Sequence, residues 1–397
     1  VGGQALTHAT TAGYSQVASV TSPSGQPDTV TLIFNTPDPD WRSLFAPLIP
    51  AHIATAVGFD TGFVDPVTQV VSGGPYEISS YVPGGEITLA RNPDWWGPAA
   101  ELASITFRLL PDQAQAAEGL TMGQLDAAIL DYDAGTFTLL KQDTSLQIAL
   151  GTADGYDDVV FDLHTAALQD PVMRQAIMRA VDRVTLARQA AGSALSTVDN
   201  RFFVASEPGF TADATQYQGG DAAAAQGLLA GAGYTLTGST LSKGGVPITL
   251  SIGSSSASPL VPAEERSVEA ACAALGITVV GALPGVQPDL LIVERPFTAY
   301  LSEIDDEYTT GGGQNLGGYS SGQMDAMITH AQSLAAGTAR NAVYTQIDQL
   351  AWSDGVDLPL LPYPQMIVYQ SRYRGLGPTP APPGPAWNAQ AWNVAAG

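Results

Sequence analysis

The chain has 397 residues, 45% of them hydrophobic, which is enough for more than one core and too long for a single one. Its 38 acidic and 15 basic residues give a formal net charge of −23, and Lys141 and Lys243 are its only lysines, a balance that excludes nucleic acid and anionic lipid surfaces as partners. No apolar run reaches the ~18 residues of a membrane span, and no charged-then-apolar signal segment opens the chain, so Val1 reads as the start of a mature, trimmed or partial chain.

Residues 14–34 read as strands around a Ser-Pro-Ser-Gly turn, and 41–52 as a short helix. Ile78–Tyr81 and Ile87–Ala90 are β-rich runs split by Val82-Pro83-Gly84-Gly85, so they predict a hairpin; Pro93 then stops the ladder, and Trp95 and Trp96 are expected in a core. A strand over 105–110, a helix over 112–122 ending at Gly123, and a buried strand over 126–130 predict a βαβ unit with parallel pairing. The clearest helix runs from Asp170 to Arg183, with an Asp cap, Pro171 in its first turn and one apolar face. Its Arg174 and Arg183, about two and a half turns apart, face opposite sides, and Arg183 serves the helix dipole or a structural pair. Helices over 221–230, 263–275, 324–335 and 338–352 alternate with strands over 246–252, 277–280 and 290–293, and an extended Pro-rich tail covers 378–385. The alternation means an α/β protein in at least two lobes.

The chemistry-bearing residues argue against an enzyme. Gly318-Tyr319-Ser320-Ser321-Gly322 fits the nucleophile-elbow pattern, but a glycine-rich stretch replaces the strand an elbow needs, and nothing places His330 as its base. His8, His52, His164 and His330 are scattered, so no metal and no cofactor is expected. Cys272, the single cysteine, lies at helical spacing and reads as a small buried hydrophobe. Asp154-Gly155-Tyr156-Asp157-Asp158 reads as a polar turn, Asp305-Asp306-Glu307 as a solvated loop, and Gly311-Gly312-Gly313 as a flexible linker.

Five segments together carry a resemblance: GGPYEISSYVPGGEITLARNPDWWG at 73–97, the stretch 112–126 ending in Met-Gly-Gln-Leu-Asp, the helix at 170–183, Ala223–Tyr234, and NLGGYSSGQMD at 315–325. In this order, over roughly residues 14–375, they resemble the family 5 extracytoplasmic solute-binding proteins that serve peptide and nickel ABC importers. The resemblance implies the two-lobed α/β periplasmic-binding-protein fold, type II, cluster C, with its N-terminal part missing. It places a small-domain remnant at 1–70, a first lobe at 71–160 plus 365–397, and a second at 161–364. Chain crossings would fall near 156–165 and 361–367, where Pro362 and Pro364 suit a stiff segment.

It further implies a monomer, extracytoplasmic and lipid-anchored through a segment ahead of Val1, binding a small solute between its lobes for an ABC permease. In peptide-binding relatives, the loop after the strand matching 288–292 supplies a tryptophan and an aspartate; here Val293–Tyr300 has neither in register. Glu294 is the substitute carboxylate, and Arg295, Phe297, Tyr300, Asn315 and Tyr319 complete the expected ligand contacts. The departure opens an alternative. The Ala- and Gly-rich, Lys-poor composition fits a high-GC actinobacterium, where a relative on this scaffold works in lipomannan and phosphatidylinositol mannoside synthesis, so the alternative is a non-transport scaffold or regulator of that synthesis; the solute is a peptide or a glycolipid and the partner a permease or an envelope-synthesis protein.

Overall fold

The computed structural model describes residues 14–26, 28–45, 72–192, 196–205, 207–298, 300–378 and 386–395. In chain order, β1 (Val17–Thr21) and β2 (Thr31–Phe34) are followed by β3 (Tyr76–Tyr81), β4 (Glu86–Arg91), β5 (Ser104–Arg108), α1 (Gln113–Thr121), β6 (Ala127–Asp131), α2 (Ala134–Leu140) and the long β7 (Leu146–Phe161). Next come α3 (Pro171–Ala180), α4 (Arg183–Ala191), α5 (Ala222–Gly231), β8 (Tyr234–Thr237), β9 (Thr240–Lys243), β10 (Val246–Pro247), β11 (Thr249–Ser254), α6 (Val261–Ala274), β12 (Thr278–Gly281) and β13 (Leu290–Pro296). The last elements are α7 (Asp305–Tyr308), α8 (Gly322–Ser333), α9 (Thr338–Asp354), β14 (Asp357–Gln370), β15 (Tyr373–Arg374) and β16 (Asn393–Val394).

The expected hairpin is β3–β4, extended by β5 into an antiparallel meander. Helix starts follow side-chain caps: Asp112, Asp133, Asp170, Asp182, Asp221 and Ser321 each accept a hydrogen bond from a backbone N–H of the first turn. Gly123 ends α1 with φ +69°, a conformation that costs a glycine little. The helix expected over 170–183 divides in two. Val181 turns extended and Asp182 caps a new helix, bonding the N–H of Thr185 at 2.8 Å, so Arg183 starts α4 rather than ending α3. Arg174 and Arg183 are both buried, so neither faces solvent.

Three further expectations are corrected. No parallel βαβ forms over 105–130, because β5 stays in the meander while β6 joins another sheet, antiparallel to β14. Trp96 is 86% exposed and Trp95 half-buried, its indole N–H donating to the Pro98 carbonyl at 3.0 Å, so this pair is no core element. The polar turn expected at 154–158 lies inside β7, with Tyr156, Asp157 and Asp158 all buried. Of the expected 41–52 helix, Ser43–Phe45 form a single 3-10 turn and 46–52 lie outside the described residues, as does nearly all of the 378–385 tail.

By contacts, the described chain divides into two compact units, one holding 72–153 and 364–395, the other 14–44 and 154–363. β7 and β14 each run from one unit into the other, within a six-stranded sheet ordered β12-β11-β13-β7-β14-β6. In the first unit, Ala116, Ala117 and Leu120 of α1 pack with Leu130, Leu140, Leu146, Met366 and Val368, while Tyr76, Ala100, Ala389 and Trp392 make a second small core beside the meander. The second unit is larger. β11 pairs in parallel with β12 and β13, β13 runs antiparallel to β7, and α8 and α9 supply the core of Met324, Ile328, Tyr344, Ile347 and Ala351. Asp40 anchors the N-terminal segment in this unit through a forked pair with Arg340, at 2.6 and 2.7 Å.

Candidate functional site

The expected ligand-contact segment begins on β13, whose antiparallel register sets Glu294 opposite Asp157 and Arg295 opposite Tyr156. Directly opposed residues share a face, so one face of the ladder carries Tyr156, Asp158 and Arg295 and the other carries Asp157 and Glu294.

The first face is a buried charge cluster. Arg295 is 5% exposed, and its Nη1 lies 3.4 Å from Glu307 Oε1 while its Nε lies 3.5 Å from Asp158 Oδ2. The rings of Tyr156 and Phe297 pack at 5.1 Å between centroids. Behind them Arg201, fully buried, donates from Nε to Asp357 at 2.7 Å and from Nη1 to Asp348 at 3.0 Å, with its guanidinium 3.9 Å above the Trp352 ring. Tyr308 donates to the other oxygen of Asp357 at 2.8 Å.

Two guanidinium groups thus face four carboxyls, Asp158, Glu307, Asp348 and Asp357. The excess negative charge is relieved by protons. Burial is the largest influence on each of three acids, holding Asp158 well above the usual carboxylate range, Glu307 up at about 7 and Asp348 at about 6, despite the nearby arginines. Burial alone would lower Arg295; Glu307 and Asp158 more than offset it, and its pKa rises. The run Asp305–Glu307, expected as a solvated loop, is therefore short buried helix, and Asp305 accepts from Tyr344 at 3.0 Å. Gly311–Gly313 form a bonded turn rather than a linker: Gly312 donates to the Thr309 carbonyl, and a side chain there would strike the Asp306 carbonyl.

The opposite face pairs Asp157 with Glu264 of α6, both fully buried. Tyr363 donates to Asp157 at 3.0 Å, and burial, reinforced by Asp157, pushes the Glu264 carboxyl up to about 10, so it keeps its proton at neutral pH. Glu294 is exposed on this face, close enough for its charge to raise the Tyr363 hydroxyl further, after burial and Asp157.

Four of the six expected contacts, Glu294, Arg295, Phe297 and Tyr300, therefore gather at the end of β13. Glu294 is exposed, Phe297 and Tyr300 are half-buried, and Arg295 is turned into the cluster. The other two are spent internally. The Asn315 side chain donates to the carbonyls of Thr309 and Tyr319 and accepts from the Tyr319 N–H, clamping its own loop. Tyr319 is core, with its hydroxyl on Asp354 at 2.6 Å. Gly318 in this loop has φ +70° and sits against His164, so the run 318–322 is a tight turn whose Ser321 caps α8. Ser320 is exposed and its hydroxyl lies 3.3 Å from that of Thr310. Cys272 is buried as expected, its thiol pushed up to about 12 by burial, far from reactive. Among the described residues no group of His, Cys, Asp and Glu could hold a metal ion.

Comparison with known proteins places this architecture. Residues 4–280 match the sequence profile of the bacterial extracellular solute-binding proteins, family 5, middle region. The chain is 28% identical over 401 aligned residues to the oligopeptide-binding protein OppA of Mycobacterium tuberculosis H37Rv, a match covering 94% of this chain and 65% of that protein. The chain thus spans slightly less than two thirds of the length of this relative. A shorter match, 29% over 234 residues, reaches the probable monoacyl phosphatidylinositol tetramannoside-binding protein LpqW of the same strain, covering 58% of this chain and 36% of that one. Among solved structures, the periplasmic EDTA-binding protein EppA superposes with a TM-score of 0.82 at 22% identity, covering 97% of this chain and 76% of that chain.

Proposed function

Because the chain belongs to family 5 of the bacterial extracellular solute-binding proteins, we propose that it is the solute-recognition component of an ABC importer, with an oligopeptide-like ligand. The observation that carries this reading is the OppA match along 94% of the chain. Its chemistry is binding. At the end of β13, Glu294 supplies a solvent-facing carboxylate for a cationic group of the solute, and Phe297 and Tyr300 supply apolar surface beside it. Arg295 and the acids behind it hold that edge in place instead of touching the solute, since a positioned contact needs rigid support. The protein works outside the cytoplasm, as a monomer with a lipid anchor; among the described residues no helix is long and apolar enough to cross a membrane.

The test is calorimetric titration with a mixed tri- to nonapeptide library. Saturable binding that falls about tenfold in Glu294→Gln, the loss of one charge-assisted contact, supports the reading, and peptide binding that ignores this change removes Glu294 from it. A second reading is favoured by the LpqW match: a glycolipid ligand and an envelope-synthesis partner. Retention of a mannosylated lipid by the purified protein, with no response to peptides, selects it.

A further inference from the structure

The second unit contains a cavity of about 310 Å³ that no expected ligand contact touches. It is lined by Gln175 and Arg179 of α3, Gln349 and Ser353 of α9, Asp213, Gln216 and Leu228, together with the buried pair Tyr217 and Trp352, stacked at 5.6 Å. Its volume falls in the lower part of the range of small-molecule pockets, roughly 300–1,000 Å³.

The groups lining it are unequally committed. Asp213 is satisfied, accepting from Gln349 at 3.2 Å and from the Thr211 hydroxyl. The Gln175 amide nitrogen donates to the Ser353 carbonyl, leaving the oxygens of Gln175 and Gln349 as acceptors. Arg179 Nε, like the Nε of Arg295 and Arg340, is a buried donor without a hydrogen-bond acceptor, but among the described residues its guanidinium makes no ion pair that would compensate it. Arg183, Arg201, Arg295 and Arg340 of this unit each pair with a carboxylate, and Arg174 is taken up by backbone carbonyls. The Arg179 Nε–H is buried and meets no acceptor among the described residues. A place in the last turn of α3 suits its charge, but does not satisfy that donor.

A planar guanidinium edge lacking an acceptor matches a carboxylate in two-point geometry. Asp213 in the wall and the chain's net charge of −23 work against a dianion such as phosphate. The two free amide oxygens call for hydroxyl or N–H donors on the rest of the ligand. We propose that this cavity binds a small, singly charged carboxylate bearing hydroxyl or amide donors, with Arg179 as the partner of the carboxylate. The site is independent of the β13 edge and of the importer reading.

The test follows the Arg179 Nε–Hε resonance of the 15N-arginine-labelled chain, assigned by its disappearance in Arg179→Gln, during titration with gluconate, with its uncharged counterpart glucitol and with inorganic phosphate at constant ionic strength. The site predicts a saturable gluconate shift and at least about tenfold weaker binding of glucitol, the loss of one charge-assisted pair. Calorimetry on Arg179→Gln should show the same loss for gluconate, and Glu294→Gln should leave it unchanged. A gluconate response that does not saturate, one matched by glucitol, or tighter binding of phosphate overturns the proposal.

Discussion

The two units reach stability by different chemistry. In the first, the packed interior is apolar, built on Leu120, Leu140, Met366 and Val368, and its ion pairs, Arg108–Glu86 and Arg372–Asp126, lie on the surface. In the second, four arginines are buried with their carboxylate partners, and protons make up the shortfall of cations around Arg201 and Arg295. An apolar interior tolerates change in proportion to volume. A buried ionic interior depends on each partner, because removing one leaves another charged and desolvated.

That contrast can be broken by mutation. Arg201→Met should have the largest effect, a loss of about 3–5 kcal/mol, since it strands Asp348 and Asp357 in the interior. Urea unfolding should register it as a shift of the second unit's transition, while Arg372→Ala on the surface pair should leave the curve in place. Leu120→Ala, at a fully buried position, should cost about 3 kcal/mol and act on the first unit instead. Equal sensitivity of both units to Arg201→Met would erase the distinction.

The loss of stability between about pH 4 and 7 should belong to the second unit, which holds the carboxyls that burial raises. Burial raises Glu307 and Asp305 to about 7 and Asp348 to about 6, above the ordinary carboxylate value near 4 that applies in the unfolded chain. Between those values the folded state binds more protons than the unfolded state. Stability is therefore fullest below about pH 4 for these groups and falls as pH rises toward 7. Asp40, which burial alone would raise but which Arg340 and the hydrogen bonds from Ser302 together hold below its usual value, acts in the opposite sense, losing stability as pH falls through its own lower range. Glu307→Gln should flatten the slope between pH 5 and 7 in urea midpoints, and an unchanged slope would remove Glu307 as a source. Trp96→Ala should shift stability by no more than about 0.5 kcal/mol, because the ring is 86% exposed.

The same contrast governs what could be read from the residues. Caps and periodicity marked most helices because their signals are local: Asp112, Asp170 and Asp221 stand directly before the turns they cap. Among the missed elements were the long strands β7 and β14, as well as α2 and the β8–β9 hairpin. Asp154, Gly155, Asp157 and Asp158 imitate a turn in the sequence, and the burial of Asp157 and Asp158 depends on Tyr363 and Arg295, more than a hundred residues away. In β14, Pro359, Pro362 and Pro364 argue against a strand, although its pairing with β6 spans 365–369, past the prolines. At the candidate site, Glu294–Tyr300 was found through a family resemblance, whereas Arg201, Glu307 and Asp357 converge from three distant segments with no local pattern.

Native mass spectrometry of the purified chain, compared with its denatured mass, tests solute recognition most directly. The account predicts a discrete non-covalent ligand with peptide masses, or an empty protein that takes up added peptides stoichiometrically. A chain that has the same mass in both states and binds no peptide contradicts it.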